Sequence, residues 1–193
     1  VRDYKPTDLN VMIALHACDI ATDYAIHLGI RSGAEIIMCS PCCHKQIRPQ
    51  LLSPHPLRPI LQHGIHLGQE AEMLTDGLRA LLLDAAGYDT QVFEFISLEH
   101  TNKNKMILAV KRAQPQANDE VVAQIKEIKA FYGIKEQALE SLLKADGLIE
   151  TRQGSGAFVV EAPKEINLRF WKGAGPALGE LRDAGNPVLP ENL

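Results

Sequence analysis

The feature that most constrains this chain is a short, unbroken apolar run, Val11-Met12-Ile13-Ala14-Leu15, that stops at His16-Ala17-Cys18-Asp19. A continuous apolar run of that length suits a strand buried on both faces, as in a parallel sheet. Glu35-Ile36-Ile37-Met38-Cys39 repeats the pattern and closes on Ser40-Pro41-Cys42-Cys43-His44. Between the two runs, Ala21, Tyr24, Ala25 and Leu28 recur at helical spacing, with Asp19 or Thr22 available as an N-cap and Gly29 and Gly33 as stops. Two buried strands joined by a helix make a strand–helix–strand crossover unit.

Lys45 to Gly68 is rich in proline and histidine and reads as a loop with a short helix around Leu57 to Gln62. A strong helix is expected from Thr75 as cap, with Leu78, Leu81, Leu82 and Ala85 on one face and Gly87 as the stop. Gln91 to Ile96 and Lys105 to Val110 are strands, and the short turn Glu99 to Asn104 makes them an antiparallel pair. This order matches the latter part of a doubly wound sheet whose final strand runs antiparallel to the others. The fold class is therefore α/β. A sheet of this size would expose one edge, a surface for pairing with another copy of the chain.

Past Arg112 the pattern changes. Gln114-Pro115-Gln116 reads as a linker, and Asp119 to Phe131 as an amphipathic helix with Val121, Ile125, Ile128 and Tyr132 in line. A short helix spans Ala138 to Lys144, and Gly147 to Val160 reads as a hairpin around Gly154-Ser155-Gly156. The expected division is 1–112, a helical extension 113–145, a wing-like hairpin 146–162 and a loosely packed tail 163–193.

Composition narrows the setting. Of 193 residues, 46% are hydrophobic and 23% charged, which is globular usage rather than that of a disordered chain. The net charge of -4 gives no overall attraction to nucleic acid or anionic membrane. No apolar stretch reaches the length of a membrane span. Three of the four cysteines crowd into positions 39 to 43, which argues against a disulfide scaffold and for a reduced, cytoplasmic setting.

In an open parallel sheet, ligands bind at the carboxyl ends of the strands. Three segments end there: His16 to Asp19, Pro41 to His44, and Glu99 to Asn104. Titratable and nucleophilic residues gather at these ends, where a purely structural turn needs only small residues. A metal is not expected, because the cysteines lack the usual ligand spacing and adjacent cysteines diverge in an extended chain. Nucleophilic cysteine chemistry lacks a partner whose role the sequence defines. Lys45, Arg48, Arg58, Lys103 and Lys105 are read as solvated loop charges, His55, His63 and His66 as structural or exposed, and His27 as a surface residue.

Leu15 to Asp19 with Ala21-Thr22-Asp23, Pro41-Cys42-Cys43-His44, Glu99-His100-Thr101 with Asn104, and Phe131-Tyr132-Gly133-Ile134 together resemble a bacterial methyltransferase family. That family shares its domain with eukaryotic methyltransferase-like proteins carrying a Cys-Cys-His or Cys-Cys-x-His segment. The resemblance implies the C-terminal half of a Rossmann-like, seven-stranded class I domain using S-adenosyl-L-methionine. It implies that Leu15, His16 and Ala17 line the cofactor and that His16, Asp19 or His44 serves as base. Cys18, Cys42, Cys43, His100 and Asn104 would face the methyl acceptor, whether RNA, protein or small molecule. The chain departs from the family in having no glycine-rich turn after a first strand and no acidic residue after a second. Tight cofactor binding by this chain alone is not expected, and an inactive scaffold is one alternative.

Leu139 to Val160 also resembles the last helix and wing of a GntR-type winged-helix repressor. There Arg152 would approach the DNA backbone beside Gly154 to Gly156. This makes a DNA-binding regulator the other alternative.

Overall fold

The computed structural model describes residues 9–52, 56–96, 104–114 and 117–149. The elements are β1 (Val11–Leu15), α1 (Ile20–Arg31), β2 (Ile36–Ser40), a 3-10 turn (Gln50–Leu52), α2 (Arg58–Leu61), α3 (Gly64–Ala85), β3 (Tyr88–Glu94), β4 (Lys105–Lys111), α4 (Asp119–Tyr132) and α5 (Ala138–Ala145).

The four strands form one sheet in the order β1-β2-β4-β3. β1 and β2 run parallel, from Val11 opposite Ile36 to Leu15 opposite Ser40. β4 inserts between β2 and β3 and is antiparallel to both, pairing Ile37 with Ala109 and Tyr88 with Lys111. The expected crossover, closing hairpin and reversed final strand are all present, which makes this a mixed α/β fold with an open sheet.

Strand alternation sends Ala14, Ile37, Cys39, Ile107, Ala109 and Tyr88 to one face, where all are buried. α1 packs there on β1 and β2, and α3 on β3 and β4; α5 lies against α1, and α4 against α3. Gly29 is inside α1 rather than at its end. A Cβ there would lie 2.9 Å from Ile37 side-chain atoms, so the missing side chain is what lets the helix sit close on β2. Tyr88 donates its hydroxyl to the Ala34 carbonyl at 2.8 Å, pinning β3 to the α1–β2 connection.

The opposite face corrects a sequence expectation. Val11 (47% exposed), Ile13 (57%) and Leu15 (57%) are open, so β1 is buried on one face only among the described residues. The periodicity of β1 carries no sign of which face lacks a cover, because both faces are apolar.

Two boundaries also shift. α3 begins at Gly64, eleven residues before Thr75, so part of the expected loop is helix. Thr75 lies mid-helix and donates to the Ala71 carbonyl instead of capping. β3 begins at Tyr88, directly after Gly87 turns the chain at φ 94. In α4 it is Val122 and Ile125 that are buried, while Val121, Ile128 and Tyr132 are partly buried against the same core.

α4 and α5 are tied to the sheet unit by polar contacts as well as packing. His27 is buried, correcting its reading as a surface residue, and bonds Asp146 at 2.8 Å. Gln50 accepts from the backbone amides of Lys135 and Glu136, and Gln46 from that of Ala138. Residues 150–162 of the expected wing-like hairpin 146–162, and the tail 163–193, lie outside the described residues.

Candidate active site

At the carboxyl end of β1 the backbone makes a turn that side-chain-bearing residues rarely adopt. His16 has φ 57 and Asp19 φ 53, both in the left-handed region. Such conformations persist only where surrounding contacts over-determine them. Here Thr22 donates its hydroxyl to the Ala17 carbonyl. Arg79 donates to the Asp19 carbonyl at 2.8 Å. The Asp19 carboxylate accepts the Gln46 amide at 3.0 Å, so it links the β1 rim to the β2 rim and makes no side-chain cap of α1.

The second rim segment follows β2. Cys42 and Cys43 are half-buried and His44 is 9% exposed. The His44 ring stands between two α3 carboxylates, with Nε2 3.9 Å from Glu72 and Nδ1 3.9 Å from Asp76. The Sγ atoms of Cys18 and Cys42 are 3.1 Å apart, and those of Cys42 and Cys43 are 3.7 Å apart. Adjacent cysteines therefore do not diverge here; both lie beyond the end of β2 at Ser40.

Hydrogen bonds from Cys42 and then Cys43 lower the Cys18 pKa below its ordinary value, with Lys45 adding to the effect. The hydrogen bond with Cys18, followed by burial, pushes the Cys42 thiol up to about 12. Cys39 faces the helices, and burial pushes its thiol to about 12, so it is a packing residue.

On the third segment Asn104 is fully buried. Its Nδ2 donates to the Ile96 carbonyl at 2.7 Å, while Oδ1 has no hydrogen-bond partner among the described residues. His100 lies outside the described residues. A cavity of about 580 Å³ joins the second and third segments, with Cys42, Cys43 and His44 on one wall and Asn104 and Lys105 on another. α3 contributes Gly68 and Glu72, and Lys105 pairs with Glu72 at 2.8 Å. Leu15, His16, Ala17 and Asp19 do not line this cavity; they flank it on the β1 rim, where Leu15 and His16 are exposed and Ala17 is half-buried.

Sequence reasoning missed the buried scaffold behind the rim. Arg79 is 0% exposed and grips Asp23 with two nitrogens, Nε at 3.1 Å and Nη2 at 2.7 Å. Its Nη1 reaches Asp76 at 3.2 Å, and Gln137 adds a bond to Asp23 at 2.7 Å. Glu72, Asp76 and Arg79 are spaced four and three residues apart on one helical face. That stripe becomes visible in the sequence only once the helix is extended upstream of Thr75.

Asp76 gives a testable pH dependence. Burial raises its pKa from 3.8 to about 6, with Glu72 adding to the rise and Arg79 and Lys105 opposing it. His44 and, across Arg79, Asp23 are the other titratable groups around it. A folded-state pKa above the unfolded one means that folding favours the protonated form. The contribution of Asp76 is therefore greatest below 3.8 and is lost as pH rises through about 6. Urea unfolding of wild type and Asp76→Asn across that window is expected to show wild type losing stability relative to the variant as pH rises. A constant difference across the window would rule the assignment out.

Residues 2–50 match a family model described as a methyltransferase domain, a stretch that includes β1, α1, β2 and the first two rim segments. The chain is also 26% identical over 132 residues to proteins named glutathione S-transferase C-terminal domain-containing protein from human and from Macaca fascicularis. Those alignments take in 56% of this chain, which spans about a fifth (21%) of the length of these relatives. No solved structure matches significantly. No helix among the described residues is long and apolar enough to cross a membrane.

Proposed function

We propose that this chain supplies the acceptor-facing part of an S-adenosyl-L-methionine-dependent methyltransferase, acting in the cytoplasm, with the cavity beside His44 as acceptor site. The observation that carries this reading is the methyltransferase-domain match falling on the segments that build the β1 and β2 rims. The reversed last strand inserted beside β2 supports it, because it is the sheet order expected at the end of such a domain.

The cofactor fits at one end only. Exposed Leu15 and His16 and half-buried Ala17 offer a side-chain and backbone surface at the end of β1, suited to the methionine portion. Nothing in the sequence offers the glycine-rich turn or the ribose-binding acid. When bound, the cofactor supplies an electrophilic methyl group on a sulfonium. The residues' tasks are to align the acceptor, exclude water and, for a nitrogen or oxygen acceptor, remove its proton. His44 is the best-placed base, since it lines the cavity and its ring stands between the Glu72 and Asp76 carboxylates, 3.9 Å from each. Asp19 is engaged with the Gln46 amide and holds the rim; His16 is exposed beside the cavity. Cys42, Cys43 and Asn104 line the cavity on the acceptor side, with Cys18 against Cys42.

Calorimetric titration of S-adenosylhomocysteine into the longest natural form of the protein is expected to show one site, weakened by Ala17→Asp. A protein that is folded yet takes up no ligand would overturn the reading.

A further inference from the structure

The three thiols at the rim converge on one point between the β1 and β2 loops. The Sγ atoms of Cys18, Cys42 and Cys43 all lie within 4.8 Å of one another, with two of the separations at 3.1 and 3.7 Å. Three sulfurs bonded to one tetrahedral zinc at about 2.3 Å stand roughly 3.8 Å apart. The observed spacing therefore needs adjustments of under about 1 Å, within the reach of small side-chain rotations.

We propose that Cys18, Cys42 and Cys43 form a binding site for a single thiophilic divalent cation, zinc, with its fourth position open to water or to a donor atom of a bound molecule. The two loops that carry the ligands are already held together by a different bond. The Gln46 amide donates to the Asp19 carboxylate at 3.0 Å, beside the cysteines on both loops. The β1 loop is further fixed by Arg79 at the Asp19 carbonyl. Metal binding thus requires little ordering of the backbone.

Three S–H protons pass to solvent as three Zn–S bonds form, which leaves the zinc with its three thiolates at a net charge of minus one. Lys45, whose charge acts on Cys18, offsets this charge. Cys18 is exposed, giving the ion an entry path, and Cys42 and Cys43 line the cavity, so the open fourth position lies beside it. A disulfide between Cys18 and Cys42 would use two of these sulfurs and abolish the site.

The test needs no methyl-transfer assay and is independent of the proposed function. Protein kept reduced with a phosphine and stripped of metal is titrated with zinc against a chromophoric chelator, and separately with cobalt(II). One equivalent is expected to bind, with intense near-ultraviolet thiolate-to-cobalt charge transfer. Cys18→Ser, Cys42→Ser and Cys43→Ser are each expected to weaken zinc by at least about tenfold, while Cys39→Ala leaves it unchanged. Circular dichroism confirms that each variant is folded. Zinc bound equally by the three serine variants would overturn the proposal. So would the absence of charge transfer while thiol titration counts all four cysteines as reduced.

Discussion

Replacing Arg79 with methionine is expected to cost about 3–5 kcal/mol of folding stability, the range for removing one partner of a buried ion pair. The guanidinium has no exposure to solvent and satisfies Asp23, Asp76 and the Asp19 carbonyl together. Without it two buried carboxylates lose their counter-charge, and the backbone turn at Asp19 loses one of its restraints. Lysine is expected to recover little, because a point charge cannot reproduce the two-nitrogen grip on Asp23. Pairing Arg79→Met with Asp23→Leu should restore part of the loss, since it removes one stranded carboxylate. Urea unfolding measures all three variants. A loss under about 1 kcal/mol for Arg79→Met would mean that water or rearrangement replaces the network, and the role given to Arg79 here would be wrong.

The second large effect is catalytic and follows from the proposed function. His44→Ala is expected to lower the turnover of methyl transfer to a nitrogen or oxygen acceptor by about 10²–10⁴-fold, the usual contribution of a positioned base. KM should change far less, because the imidazole is one of many cavity-lining groups. Glu72→Gln is expected to give a smaller loss, as this carboxylate acts through the ring and stands 3.9 Å from it. Labelled methyl from S-adenosylmethionine, followed into the RNA, protein and small-molecule fractions of an extract, reads the rate and identifies the acceptor class together. Full turnover in a folded His44→Ala protein would exclude His44 as the base.

These two residues differ in how far the sequence exposes them. His44 stands out because it ends an apolar run and follows two cysteines, at a strand end where a ligand rim is expected. Arg79 does not stand out. It lies among Leu78, Leu81 and Leu82, and an arginine in an amphipathic helix is ordinarily solvated. Its ion pair depends on Asp23, 56 residues earlier, which is bonded in turn by Gln137, 114 residues beyond Asp23, and folding brings all three together. The same reasoning covers His27, whose partner Asp146 is 119 residues away. It covers the cysteines too. Their sequence spacing argued against a shared ligand, yet the parallel pairing of β1 with β2 sets the two loops side by side and brings three sulfurs together.

The upstream half of α3 was hidden for a different reason. His63, Gly64, His66 and Gly68 disguise a helix start as loop, and the weak local preference is overridden by burial of Leu67, Ala71 and Leu74 in the core.

By itself, then, the sequence determined the strand–helix–strand order, the closing antiparallel pair and the three polar segments at the strand ends. Those features are local and periodic, and they follow from apolar runs and the residues that interrupt them. Only the tertiary structure decided that the apolar run Val11 to Leu15 is covered on one face alone. It alone decided that Asp19 bonds a neighbouring loop, that Arg79 anchors the rim from within, and that Cys18 meets Cys42 and Cys43. Each of these depends on which elements become neighbours in space, a consequence of sheet order and register that no single stretch of sequence contains.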